Sequence, residues 1–175
     1  SSYFEPNVLY NNATSMYVLT WSHLMANQIP PNVHEIPLAT SRVPQGPYRR
    51  VPPLKTRGVP GSTIGLWADQ DTGKGYARYN SALGNCLEEL SADFLSTTGR
   101  NTCVGKATGE GGGFFKRDGV FYLMSGFGCC FCPAGADALV FASRDGVLGN
   151  YSFLAEINPA TNPATHKLPP VPAPA

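Results

Sequence analysis

The stretch that decides the fold is Gly109-Glu110-Gly111-Gly112-Gly113-Phe114-Phe115-Lys116-Arg117-Asp118-Gly119-Val120-Phe121-Tyr122-Leu123-Met124-Ser125-Gly126. It predicts a β-hairpin with a tight turn at residues 117–119 and a second strand from residue 120 to residue 124. Asp-Gly between apolar and aromatic residues favours such a turn. Glu110 is a single carboxylate at the mouth of this hairpin, in a run of glycines through which the backbone can approach a ligand closely. It is therefore either a functional group or an ordinary solvated residue at a strand end.

The composition favours short strands joined by many turns. The 175 residues include 19 glycines and 16 prolines, 11% are aromatic and only 14% are charged. A net charge of +1 without a basic run argues against nucleic acid and against a membrane surface. No apolar run is long enough for a transmembrane helix. The chain does not begin with a signal peptide, so we expect Ser1 to be a processed or truncated start.

Cysteines and glycosylation sequons point to a secreted, oxidised protein. The sequons begin at Asn12 and Asn150, and each lies at a predicted turn or strand end. The odd cysteine count leaves open a free thiol, an intermolecular bridge or a partner outside this chain. The three histidines lack zinc-ligand spacing, so we predict disulfides rather than a metal, and no cofactor. The disulfide candidates are Cys86, Cys103, Cys129, Cys130 and Cys132.

The hairpin has two earlier counterparts in the chain. One begins at Glu5 and ends in Tyr-Val-Leu, and a middle copy carries Thr63 near the place of the glutamate. A second element also recurs, since Ala-Thr-Ser-Arg followed by Gly-Pro-Tyr at residues 39–48 is echoed at residues 142–151. The period is roughly 50 residues, the size of a four-stranded propeller blade, so the chain supplies about three to three and a half blades. We therefore expect it to be part of a longer polypeptide, or to complete its ring with another chain.

Two segments need separate interpretation. The apolar spacing of residues 87–95 permits a short helix, but we predict an outer strand and turn of the middle blade. Proline is dense from Pro159 onward, which favours an extended polyproline arm. This arm is either a disordered linker or an ordered link to a neighbouring subunit. The predicted domains are a partial β-propeller over residues 1–157 and a Pro-rich arm over residues 158–175.

Four motifs in order resemble glycoside hydrolase family 43, in its galactan 1,3-β-galactosidase-like branch. The branch has Glu-Arg-Pro-Lys-Val-hydrophobic-Tyr-Asn, Ser-Pro-x-Gly-Pro-Phe, Arg-Asp-Met-x-Leu-Phe-x-Asp-Asp-Asp-Gly-x-Ala-Tyr, and Glu-Ala-Pro-x-hydrophobic-Phe-Lys-Arg-x-Gly-x-Tyr-Tyr-Leu. The corresponding segments here are Glu5-Pro6-Asn7-Val8-Leu9-Tyr10-Asn11, Val43-Pro44-Gln45-Gly46-Pro47-Tyr48, Ser62-Thr63-Ile64-Gly65-Leu66-Trp67-Ala68-Asp69-Gln70-Asp71, and Glu110-Gly111-Gly112-Gly113-Phe114-Phe115-Lys116-Arg117-Asp118-Gly119-Val120-Phe121-Tyr122-Leu123. The resemblance covers about residues 3 to 155. It implies an all-β, five-bladed-type propeller that is incomplete in this chain.

The resemblance also implies a chemistry, hydrolysis of a glycosidic bond with inversion, which needs an acid and a base on opposite sides of the sugar. It places Glu110 as the general acid and Glu5 as a second active-site carboxylate. Trp21, Trp67 and Phe127 could stack on sugar faces or belong to the blade cores. The implied partner is a β-galactan-type glycan.

The sequence departs from the motifs of this branch at positions that bear on the expected catalytic activity. The aspartate that tunes the acid falls at Thr63, which cannot ionise, and no group in the chain matches the activator of water. An incomplete carboxylate set loses most of the chemistry, because acid and base act as a unit. Three functions stay open: an exo-acting inverting β-1,3-galactanase, a carbohydrate-binding propeller with impaired catalysis, and a non-catalytic structural subunit of an extracellular fibre or cell-wall assembly that self-associates through the Pro-rich arm.

Overall fold

The computed structural model describes residues 2–24, 35–61, 63–105, 107, 109, 112–128 and 136–157, and these contain strands and turns without a helix. The described residues accordingly include no helix that is long and apolar enough to cross a membrane. The strands are β1 Ser2–Asn11, β2 Met16–Leu24, β3 Glu35–Ser41, β4 Arg49–Lys55, β5 Ile64–Ala68, β6 Gly75–Ser81, β7 Gly84–Leu90, β8 Thr97–Val104, β9 Phe114–Arg117, β10 Val120–Gly128, β11 Ala136–Ser143 and β12 Ser152–Glu156.

Twelve strands form three four-stranded antiparallel sheets, each a meander of strands consecutive in the sequence. We call them blade 1 (β1–β4), blade 2 (β5–β8) and blade 3 (β9–β12). The predicted all-β architecture of about three blades is confirmed. Residues 158–175 lie outside the described residues, so the domain boundary and the extended arm stay predictions.

The central hairpin forms where the sequence predicts it. Strand β9 ends at Arg117, β10 begins at Val120, and the two residues pair directly. Asp118 and Gly119 between them have φ of 50° and 75°. Two successive positive φ values define the type I′ turn that Asp-Gly favours, and its twist matches the flanking strands. The second strand is longer than predicted and runs on to Gly128.

Blades 1 and 3 share the repeated turn seen in the sequence. In blade 1 the N–H of Val43 donates to Oγ of Ser41 at 3.2 Å, and in blade 3 the N–H of Asp145 donates to Oγ of Ser143 at 3.2 Å. After each turn a tyrosine hydroxyl donates to the carbonyl four residues earlier, at 3.0 Å for Tyr48 and 2.9 Å for Tyr151. The repeated sequence thus forms the same two side-chain hydrogen bonds in blade 1 and in blade 3.

Blade 2 is the best buried part of the chain because it has a blade on each side. All seven residues of β7 are buried. One apolar cluster joins blades 1 and 2, and includes Val18 and Leu38 on one side and Leu66 and Tyr79 on the other. A second cluster, around Leu87 of β7, joins blade 2 to blade 3. Strands covered on both faces become continuously buried rather than alternating.

The segment 87–95 forms a strand and a turn, as predicted, but the prediction of an outer strand is wrong, because β7 is the third of four strands and is paired on both sides. Strand β7 ends at Leu90, and the turn that follows is closed by the N–H of Phe94 donating to the carbonyl of Ser91 at 2.9 Å. Cys86 of β7 pairs in register with Cys103 of β8, and their sulfurs form a disulfide. The other three cysteines lie outside the described residues.

Candidate functional site

Glu5 lies at a β-bulge in β1, the edge strand of blade 1 that lies closest to blade 2. Phe4 pairs with Ser22 and Asn7 pairs with Thr20, so Glu5 and Pro6 together oppose the single residue between them on β2. Glu5 is exposed and has a φ of 48°, in the left-handed region that glutamate rarely adopts. Such a backbone costs on the order of 1–3 kcal/mol, and in proteins these outliers concentrate at functional sites.

Two polar side chains of β1 lie against the backbone of β5, the first strand of blade 2. The N–H of Ile64 donates to Oε2 of Glu5 at 3.3 Å, and the N–H of Leu66 donates to Oδ1 of Asn7 at 2.9 Å. These bonds satisfy amides on the free edge of the blade 2 sheet, which would otherwise lack a strand partner. They place the Glu5 carboxylate at the junction of the two blades.

Arg78 of β6 is a charged residue of blade 2 that interacts electrostatically with Glu5 at this junction. It is buried, 6% exposed, and its Nη1 donates to the carbonyl of Gly112 at 3.1 Å while Nη2 donates to Oδ1 of Asn85 at 2.9 Å. Burial lowers the pKa of Arg78 to about 10, an effect that the negative charge of Glu5 partly offsets. Glu5 and Arg78 therefore interact electrostatically across this junction.

Arg78 is a site residue that the sequence interpretation missed. It stands in the strand Gly75–Ser81 between Ala77 and Tyr79, both in the core between blades 1 and 2. A charged residue with an apolar or aromatic residue on each side in a strand is the signal that could have found it, since buried arginines are rare without a partner.

The predicted general acid, Glu110, lies outside the described residues, so its placement stays a prediction. Thr63, where the resemblance expects an acid-tuning aspartate, is 2% exposed and directly precedes β5. Its N–H donates to Oδ1 of Asn80 at 2.9 Å.

Gly112, one residue of the glycine run, packs tightly against the protein's own backbone. A Cβ at Gly112, whose φ is +91°, would lie 2.0 Å from the carbonyl oxygen of Met124. The close approach at this residue is to the protein's own strand β10.

The three aromatic residues predicted to contact sugar occupy different places. Trp67 packs between blades 2 and 3, with its ring centroid 4.8 Å from that of Phe114 in an edge-to-face contact. Trp21 lies in β2, where its ring contacts the guanidinium of Arg50 at 5.5 Å. Phe127 lies in β10, and its side chain is outside the described residues. Trp21 is also the β2 residue that lies opposite Glu5 and Pro6 at the bulge, whereas Trp67 is taken up by the packing between blades 2 and 3.

The predicted glycosylation sites are accessible. Asn12 lies in the turn between β1 and β2, and Asn150 directly precedes Tyr151 and the strand β12; both are exposed. Within the described ranges, no group of three or more histidine, cysteine, aspartate or glutamate side chains is arranged to hold a metal ion.

Comparison by sequence, with protein-family profiles and with curated proteins, gives no match. Comparison by structure finds family 43 glycoside hydrolases. A GH43 β-1,3-galactosidase solved with galactodeoxynojirimycin aligns at a TM-score of 0.70 and 20% identity over 85% of this chain and 56% of that one. An exo-β-1,3-galactanase variant from Phanerochaete chrysosporium, solved with β-1,3-galactotriose, aligns at a TM-score of 0.73 and 21% identity, covering 89% and 36% of the two chains. An exo-β-1,3-galactanase from Clostridium thermocellum gives a TM-score of 0.67 and 21% identity, covering 90% and 36%.

The chain thus spans between 36% and 56% of the length of these three neighbours. They are five-bladed propellers, and the described residues here form three sheets. The resemblance seen in the sequence motifs is confirmed at the level of fold. The chain has the fold of part of a family 43 β-1,3-galactosidase or galactanase propeller.

Proposed function

We propose that the chain binds β-1,3-linked galactan at the junction of β1 and β5, with Glu5 contacting the sugar, and that hydrolysis through Glu110 is weak or lost. The observation that carries this proposal is the strained backbone of Glu5. A glutamate with a φ of 48° at a bulge presents an exposed carboxylate at the junction of two blades. A residue that only filled a turn would be replaced at lower cost by glycine or asparagine.

The ligand class is supported by the structural neighbours. One neighbour was solved with β-1,3-galactotriose and another with galactose. The innermost strands of propeller blades line a central channel, and β1 and β5 are the first strands of their blades. A carboxylate at this edge can accept hydrogen bonds from two sugar hydroxyls, and charge-assisted bonds of this kind are stronger than neutral ones.

Impaired catalysis is supported by the groups around the site. A general acid must hold its proton near neutral pH, which requires burial or a neighbouring negative charge. Thr63 supplies no charge, and the buried charged side chain that hydrogen-bonds the backbone at Gly112 is the cation Arg78. Neither Thr63 nor Arg78 supplies the negative charge that would help a carboxyl to keep its proton.

The experiment is a calorimetric titration with β-1,3-galactotriose. We expect wild-type protein to bind, and Glu5→Gln to bind roughly tenfold or more weakly, because loss of a charged hydrogen-bond acceptor costs about 1.5–3 kcal/mol. Glu35→Gln is the matched control, since Glu35 pairs with Lys55 at the start of β3 and its side chain is 36% exposed. Absence of binding by the wild type, or equal affinity of wild type and Glu5→Gln, would reject the proposal.

We propose that the protein is secreted and has this function outside the cell. The exposed sequon residues Asn12 and Asn150 and the disulfide between Cys86 and Cys103 support it, since disulfides persist in oxidising compartments. Glycosylation itself stays a prediction.

A structural subunit of an extracellular assembly is the second candidate. It is supported by exposed apolar residues on the outer faces of blades 1 and 3. Val8 and Tyr10 are 46% and 43% exposed, and Phe115 and Leu154 are 40% and 41% exposed. Sedimentation velocity over a range of concentrations tests this candidate: a single monomer species throughout would exclude it.

A further inference from the structure

A chain of three buried polar side chains runs from blade 2 into blade 3. Arg78, Asn85 and Ser125 are 6%, 0% and 0% exposed. Nη2 of Arg78 donates to Oδ1 of Asn85 at 2.9 Å, and Nδ2 of Asn85 donates to Oγ of Ser125 at 3.1 Å. We call these three residues the buried polar network.

The buried polar network holds the first half of the segment that connects β8 to β9. Nδ2 of Asn85 also donates to the carbonyls of Ala107 at 2.6 Å and Gly109 at 3.1 Å. The N–H of Gly109 in turn donates to Oγ of Ser125 at 3.1 Å. Both the N–H and the carbonyl of Gly109 are therefore fixed by buried side chains.

The second half of the same connection is held from the other side. Nη1 of Arg78 donates to the carbonyl of Gly112 at 3.1 Å. The N–H of Met124 donates to the carbonyl of Gly113 at 2.8 Å. Since a Cβ at Gly112 would lie 2.0 Å from the carbonyl oxygen of Met124, no other residue fits there. The chain is thus anchored at residues 109 and 112, on either side of Glu110 in the sequence.

Stability alone does not account for such a network. Apolar residues of similar volume commonly replace buried polar groups without loss of stability, provided that no partner is left unsatisfied. Buried hydrogen bonds restrain the backbone that they contact, because a buried polar group is costly to leave unpaired. Here the hydrogen bonds converge on residues 107, 109 and 112 of one connection.

We infer that Asn85, Ser125 and Arg78 are positioning residues that hold Ala107, Gly109 and Gly112, in the connection between β8 and β9, beside the galactan site, an inference that rests on the proposed function. They act through the backbone at Gly109 and Gly112 and do not contact the sugar themselves. An error of about 1 Å in such positioning can cost a large factor in function.

The test compares Ser125→Ala with Ser143→Ala. Both remove a buried hydroxyl from blade 3, but Ser143 contacts the turn at Asp145 and Gly146 instead of the connection between β8 and β9. We measure the affinity for β-1,3-galactotriose and the amide hydrogen exchange of peptides covering residues 105–113. Urea unfolding corrects for any loss of global stability. Asn85→Asp is the conservative second variant, because it keeps the oxygen that accepts from Arg78 and removes the amide donors.

We expect Ser125→Ala and Asn85→Asp to speed exchange in the 105–113 peptides and to weaken affinity roughly tenfold, and Ser143→Ala to do neither. Unchanged exchange and affinity in both network variants, with wild-type protein binding the sugar, would overturn this inference alone. Equal changes in Ser143→Ala would also overturn it, because they would show a general loss of packing. Failure of the wild type to bind would reject the proposed function, while the exchange measurement would still decide whether the network holds the segment.

Discussion

Oε2 of Glu5 accepts a hydrogen bond from the N–H of Ile64 at 3.3 Å, which joins the bulge of the first blade to the edge of the second. The bulge holds Glu5 in a backbone conformation that glycine adopts without strain. A residue that is retained at a cost in stability indicates selection for its side chain. This relationship makes Glu5 the most informative single position in the chain.

Replacement of Glu5 by glycine separates stability from binding. We expect Glu5→Gly to change the free energy of unfolding by no more than about 1 kcal/mol, because relief of the backbone strain offsets loss of the hydrogen bond from the N–H of Ile64. We expect the same variant to lose galactan affinity, because it lacks the carboxylate. Urea unfolding and calorimetry on one preparation measure both effects. A clear loss of stability would show that the side chain serves the fold.

Restoring an ionisable group at position 63 tests the account of impaired catalysis. We expect Thr63→Asp to raise the release of galactose from β-1,3-galactan at least tenfold, because the added carboxylate would favour the protonated form of the acid. Thr63→Val serves as a control that cannot ionise. A gain that persists in Thr63→Asp/Glu110→Gln would contradict the role assigned to Glu110.

The disulfide between Cys86 and Cys103 should contribute substantially to stability. It closes a loop with a sequence separation of 17 residues. For such a loop we expect the Cys86→Ala/Cys103→Ala variant to lose roughly 2–4 kcal/mol in the free energy of unfolding. Chemical denaturation with and without a reductant measures this. The reductant should lower the midpoint more for the wild type than for the double variant, which keeps only Cys129, Cys130 and Cys132. An equal response of both would contradict the prediction.

Glu89 should make the protein sensitive to acid. Burial alone would raise its pKa, but the hydrogen bond and charge of Lys74, the charge of Arg100 and a hydrogen bond from Thr98 together hold the pKa below the ordinary 4.5. A carboxylate with a lowered pKa in the folded state contributes stability that is present above its unfolded pKa and is lost as pH falls through the folded pKa. Below pH 4.5 the free energy of unfolding should therefore fall more steeply for the wild type than for Glu89→Gln. An identical slope for the wild type and Glu89→Gln would contradict the prediction.

The fold could be predicted from the sequence because its signals are local. Asp118 and Gly119 define their turn by their own backbone preferences, whatever the surroundings. The repeated serine and tyrosine hydrogen bonds of blades 1 and 3 join residues at most four positions apart, so the sequence repeat contains them. The number of blades follows from this repeat and from chain length.

The site could be predicted only in part because its contacts are not local. The resemblance indicates Glu5, but nothing in the sequence indicates the bulge and positive φ that present it. Arg78 and Gly112 are 34 positions apart, and their hydrogen bond exists only once two blades pack together. Trp67 illustrates the same limit. Alternation of residues in a strand does not indicate whether one face contacts sugar or a neighbouring blade. In the structure Trp67 packs against Phe114.

A crystal structure of the chain with β-1,3-galactotriose tests the central claim most directly. The account predicts a galactose unit at the junction of β1 and β5, with a hydroxyl oxygen about 2.6–3.0 Å from the carboxylate of Glu5. A trisaccharide bound only at sites away from this junction, with no sugar atom in contact with Glu5, would contradict it.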